Sequence, residues 1–200
     1  MRTFSHPGYK RFLLSVGCLL SIHFTALFFL TLFRLVFFFS ANYDFPDQEH
    51  VGFMSIWPAF IRGVWFDNVI ACYILLIPLV AVSISALFNY YGKILWNVTC
   101  IFFSLFYGIV LLVTAANIPY FQYFFKIINS SVFNWFGYMN TTAGMVFGET
   151  SYYPPLIGFL LTLVLFIWLM RRLIRHFQRL LNTKNPSVFW LDRIYIFLTA

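Results

Sequence analysis

Apolar residues run through this chain in blocks longer than a soluble helix requires. A membrane-crossing helix takes about 20 consecutive, mostly apolar residues. Three blocks meet that length: Phe12–Phe39, Val64–Leu87 and Ile94–Ala116. A fourth runs from Leu156 to Met170, with Tyr152 and Tyr153 at its edge, and is taken as a span over 153–170. A fifth opens near Val188 and is still apolar at Ala200, so the span over 188–200 is read as incomplete. The first block continues through Leu32 and Phe37 without a small-residue cleavage site. A secretory leader has an apolar region of only about 7–15 residues, so this block reads as a signal anchor. The pattern predicts an all-α fold: a polytopic membrane helical bundle of about five transmembrane helices.

Residues 117–152 break the rhythm. Asn117-Ile118-Pro119 predicts the end of the third span, because proline disfavours helix at the residue before it. Beyond it, Gln122, Lys126, Asn129 and Ser130 recur at helical spacing, opposite Phe121, Phe124, Phe125, Ile128 and Val132. That alternation predicts an amphipathic helix lying in the membrane interface. Trp135, Phe136, Tyr138 and Met139 continue an interfacial lining. Pro154-Pro155 suits the first turn of the fourth span, where a missing N–H has no helical acceptor to lose.

Composition narrows the class. Hydrophobic residues make up 62% of the 200 and charged residues 10%, with mean hydropathy +0.83. Soluble domains carry roughly 25% charged residues, so a soluble enzyme, a disordered tail and a disulfide scaffold are all excluded. The net charge of +7 does not point to nucleic acid, because the cations flank the apolar blocks. Arg2, Lys10 and Arg11 precede the first block, Lys93 lies between the second and third, and Arg171, Arg172, Arg175, Arg179 and Lys184 follow the fourth. The opposite loops hold only Arg62 and Lys126, with Asp44, Asp47, Glu49 and Glu149. Cytoplasmic loops are the ones enriched in Lys and Arg, where they meet anionic headgroups. Nine cations against two therefore place the N-terminus in the cytoplasm and direct the fifth block outward.

Candidate chemistry is sparse. Arg34, late in the first span, and Asp67, early in the second, fall at similar depth. Charges in hydrocarbon pair, face a cavity or snorkel to the interface. The two are therefore expected as an ion pair between helices, as a snorkelling arginine with a solvated aspartate, or as a headgroup seat at Arg34, with Arg62 close by. His23, about three turns before Arg34, shares its helix face and is read either as a hydrogen-bonded packing residue or as part of a polar seam. Cys18, Cys72 and Cys100 lie apart inside apolar runs and suggest neither a metal site nor a disulfide. No metalloprotease, nucleophile-elbow or phosphate-loop motif is present. No catalytic residue and no metal ligand is assigned within these 200 residues.

Three strings carry a family resemblance: Phe33-Arg34-Leu35, Gly63-Val64-Trp65-Phe66-Asp67 and Asn117-Ile118-Pro119-Tyr120-Phe121. With the outward-directed spans they resemble the N-terminal membrane domain of lipoteichoic-acid-synthase-like proteins. These are phosphoglycerol transferases and sulfatase-like proteins of the alkaline phosphatase superfamily. Family members often have Gly-Leu-Arg-Phe-Asp at the second string, where Trp65 replaces the arginine here, and an acidic residue where Asn117 stands. The resemblance implies a multi-pass protein of the bacterial cytoplasmic (inner) membrane, part of the cell envelope. It further implies a catalytic domain beyond residue 200, on the outer face, with a threonine or serine nucleophile and a divalent metal such as manganese or zinc. The implied reaction transfers or hydrolyses a phosphate or sulfate ester, with a phospholipid headgroup as donor. The implied partners are the phospholipid bilayer and the protein's own extracytoplasmic domain, and nucleic acid is not among them. The face bearing Gln122 and Lys126, with Trp135, would dock that domain. A small non-enzymatic scaffold or subunit, or a transporter-like protein, is the competing expectation.

Overall fold

The computed structural model describes residues 7–43, 53–88, 90–129, 144, 148 and 150–181. Four long helices account for most of them: α1 (Pro7–Tyr43), α2 (Phe53–Leu87), α3 (Lys93–Phe124) and α4 (Tyr153–Leu181), the last preceded by one 3-10 turn over Thr150–Tyr152. There is no strand among the described residues. At about 1.5 Å per residue, even the 29 residues of α4 exceed the roughly 30 Å hydrocarbon layer. All four helices are long and apolar enough to cross a membrane. Among the described residues the regular structure is thus all helical and suited to a bilayer, and the expected span over 188–200 lies outside them.

These residues form helices because lipid offers no hydrogen bonds. Every backbone N–H and C=O must find a partner within the segment, and only a helix or a closed barrel achieves that. Hydroxyl groups obey the same rule. Ser15, Ser21, Thr25, Ser104 and Thr114 each donate to the carbonyl four residues earlier, at 2.8–3.0 Å. Such back-bonding satisfies a hydroxyl without a second helix.

The same constraint moves three helix boundaries from their expected places. α2 begins at Phe53, ahead of the expected Val64, because Ser55, Pro58 and Arg62 lower the apolar count without stopping the helix. α3 does not end at Asn117-Ile118-Pro119. Pro119 forfeits one backbone bond, whereas stopping there would strand several groups at the membrane edge. The helix instead ends at Phe124, where Phe125 turns left-handed (φ 52°) and its N–H donates to Phe121 O at 2.8 Å. The interfacial helix expected across Gln122–Ser130 is therefore not formed there: Gln122 lies in the last turn of α3, and 125–129 are non-helical. Trp135 and most of the remaining 117–152 segment lie outside the described residues. α4 opens at Tyr153 with Pro154-Pro155 in its first turn, as expected, but continues past Met170 to Leu181.

The helices contribute to two compact units, within the bounds Met1–Leu27, Asn68–Tyr107 and Phe166–Ala200 for the first, and Phe28–Asp67 and Gly108–Leu165 for the second. In the first, the packing closes a ring. Phe12 of α1 is buried with Ala86 of α2, under Tyr9, Val16, Leu87 and Tyr91. Tyr107 of α3 is fully buried, donates to Ala71 O of α2 at 3.4 Å, and meets Phe166 of α4 edge-on with centroids 5.5 Å apart. α4 returns to α1 where Phe177 lies against Gly17 and Arg11 Nη2 donates to Leu181 O at 3.1 Å. In the second unit, Phe37 of α1 meets Phe121 of α3 with centroids 5.2 Å apart, and Gly108 of α3 lies close to Leu163 of α4.

Two predictions follow from the ring. Tyr107→Ala removes a fully packed aromatic. Lipid is as apolar as the core, so the cavity term dominates and the loss falls at the low end of the range, about 3 kcal/mol. Tyr107→Phe deletes only a long hydrogen bond and costs about 1 kcal/mol or less. Reversible unfolding in mixed micelles measures both. In the turn between α2 and α3, burial pushes Tyr91 up to about 12 from an ordinary 10, with Arg11 pulling the other way. Its hydroxyl has no hydrogen-bond partner among the described residues. A folded value above the unfolded one gives stability that is complete below pH 10 and lost as pH rises toward 12. Tyr91→Phe should flatten that alkaline loss in a pH series of melting temperatures.

Candidate polar clamp between the first two helices

Near the end of α1, Arg34 extends toward α2 and meets Asp67. The contact is bidentate: Nε donates to Oδ2 at 3.0 Å and Nη2 to Oδ1 at 2.7 Å. A planar guanidinium presents two parallel N–H groups to a carboxylate, the strongest neutral-forming pairing available to side chains. Of the three arrangements expected for these residues, the ion pair is the one formed. Asp67 is the only acidic residue among the described ones, and its side chain is 14% accessible against 31% for Arg34.

Gly63 makes the approach possible. It is buried one turn before Asp67 on the same face of α2, and the guanidinium lies over it so closely that any Cβ there would overlap Arg34. One glycine and one aspartate at i and i+4 thus form a seat: the first opens the helix surface and the second supplies charge. The intervening Trp65 and Phe66 are exposed, as lipid-facing aromatics are, and Arg62 is exposed outside the pair. The sequence marked the pair by depth but not the role of Gly63. The signal was its four-residue spacing from Asp67.

His23 makes a separate link from α1 to α2 within the first unit. Its Nε2 lies 3.1 Å from Asn68 Oδ1, so Nε2–H donates and Nδ1 is left as the acceptor nitrogen. His23 is buried, and Nδ1 has no partner among the described residues. The packing reading of this histidine is the one its geometry supports. Asn68 was not anticipated. Its position beside Asp67, two polar residues in succession within an apolar run, was the available sign. Cys72 Sγ also lies 3.9 Å from Asn68 Oδ1.

The interfacial candidates are not brought together. Gln122 and Lys126 are both exposed, but α3 ends between them, so they share no helical face. Asn117, in the same region, accepts the Ile128 N–H on Oδ1 at 2.9 Å and ties the segment after α3 back to the helix. Among the described residues no three His, Cys, Asp or Glu side chains converge on one point. What this arrangement can do chemically is hold two helices in register, with a bound guanidinium between them.

The clamp predicts a particular thermodynamic signature. Removing one partner of a fully buried pair costs about 3–5 kcal/mol, and this pair is partly accessible, so Asp67→Asn or Arg34→Gln should each cost roughly 2 kcal/mol. The double variant should cost less than the sum, with a coupling of about 1–2 kcal/mol in a double-mutant cycle. Gly63→Ala should resemble the single losses, because it displaces the guanidinium rather than removing it. No family model matches the chain, and neither a curated protein nor a solved structure does.

Proposed function

We propose that this chain is the membrane anchor and docking domain of a lipoteichoic-acid-synthase-like transferase or sulfatase. In this reading it is a bundle of about five spans in a bacterial cytoplasmic membrane, with its N-terminus in the cytoplasm. It holds a catalytic domain on the outer face, where a phosphate or sulfate ester is transferred or hydrolysed with a phospholipid headgroup as donor. The divalent metal belongs to that domain.

One observation carries the proposal. Two strings that suggest the family, Phe33-Arg34-Leu35 and Gly63-Val64-Trp65-Phe66-Asp67, meet through the bidentate Arg34–Asp67 pair. The third contributes Phe121, packed on Phe37, and Asn117, which fixes the turn after α3. The residues that prompt the resemblance are thus the ones that shape the second unit. Anchoring has a physical purpose here. A lipid donor diffuses in two dimensions, and a tethered catalytic domain meets it at a high effective concentration.

The test has two parts. A reporter enzyme active only outside the cytoplasm should function when fused after residue 45 and fail after residue 181, and the reverse result would overturn the orientation. The complete gene product, reconstituted in vesicles with headgroup-labelled phosphatidylglycerol or a sulfated glycolipid, should transfer or release the label. Gly63→Ala should slow this severalfold while the catalytic domain stays folded. A complete product that turns over neither class would leave the scaffold, subunit or transporter-like reading in its place.

A further inference from the structure

The strongest concentration of unpaired charge lies elsewhere, on the last turns of α4. From Met170 onward this helix has two faces. Met170, Ile174 and Leu181 are buried, whereas Arg172, Arg175, His176 and Arg179 are exposed. Trp168, one turn earlier, joins these four in lining an open cleft of about 410 Å³. Arg172 lies over the Trp168 indole with Cζ 5.3 Å from the ring centroid, and Arg175 Nε donates to Arg171 O at 3.2 Å. Two of the guanidiniums are thereby held in place with most of their N–H groups still free.

Among the described residues nothing of opposite charge faces them. Asp67 is the sole acidic residue among the described ones, and Arg34 occupies it. Like charges three and four residues apart repel, so the arrangement favours an anion that bridges them. The helix itself indicates which anion. Trp168, Arg172, Arg175 and Arg179 follow one another at steps of four and three, and all four are exposed. That stripe passes from indole to guanidinium. A phospholipid makes the same passage from glycerol to phosphate, and tryptophan settles at the headgroup level.

We propose that Trp168, Arg172, Arg175 and Arg179 form a seat for the phosphate of one anionic phospholipid, whose glycerol lies at the Trp168 indole. The seat is independent of any catalytic domain and of the Arg34–Asp67 clamp. The guanidiniums take the phosphate oxygens through paired N–H groups, which a lysine ammonium cannot reproduce.

Native mass spectrometry of the purified protein, titrated with short-chain phosphatidylglycerol, phosphatidylcholine or inorganic phosphate, tests this. Each cation near a headgroup contributes about 1 kcal/mol, so phosphatidylglycerol should bind at least about tenfold more tightly than phosphatidylcholine. Replacing Arg172, Arg175 and Arg179 together with Gln should abolish that preference, while Lys93→Gln, an exposed cation at the start of α3, should leave it intact. Trp168→Leu should weaken it and remove the Trp168 share of the indole quenching by brominated phosphatidylglycerol, leaving the share of the other five tryptophans. Should the Gln variant fail to fold, the triple Arg→Lys variant keeps the charge and should still bind phosphatidylglycerol at least threefold more weakly, an order-of-magnitude expectation of about this size from losing the fork. An unchanged preference in the triple variants overturns the seat. Inorganic phosphate that competes as well as the lipid overturns the assignment to a lipid.

Discussion

Hydrocarbon forms no hydrogen bonds, and the helices and the contacts between them answer to that. Backbone groups are satisfied by four uninterrupted helices. Hydroxyl groups turn back onto their own helix. Two side chains that are not satisfied locally find partners on a neighbouring helix: Arg34 on Asp67, and His23 on Asn68. Apolar packing has a smaller part in choosing partners, since a leucine in lipid loses little by staying there. The polar contacts and the close approaches at glycine therefore decide which helix faces which.

The Arg34–Asp67 pair shows how few residues such a decision requires. A guanidinium needs space and a carboxylate, and α2 supplies both within one turn, at Gly63 and Asp67. The exposed aromatics between them, Trp65 and Phe66, face away at no cost to the seat. This economy fits an anchor, whose task is to keep its helices in a fixed register. It is consistent with chemistry carried out by a separate domain.

The two ends of the charge inventory behave differently. The clamp sets its two charges against each other. The stripe on α4 keeps its charge exposed along the helix, next to a tryptophan. Paired charge is a structural device, and unpaired charge on a built surface is available for binding. By that distinction the described residues carry a feature of each kind.

Class, helix content and the approximate sites of four helices were legible from residue order alone. Each is dictated by the length of apolar runs, and lipid accepts only one open-chain solution for such runs. The pairing of Arg34 with Asp67 was legible as one of three options, because depth is readable from position along a helix. The helix ends were not: Ser55, Pro58 and Pro119 are local preferences that a continuous backbone ladder overrides. Neither was the seat at Gly63, the partnership of Asn68 with His23, or the stripe that sorts Arg172, Arg175 and Arg179 onto one face away from Met170 and Ile174. Those depend on which surfaces of two helices meet, and that is set by the packing of side chains from segments far apart in the chain.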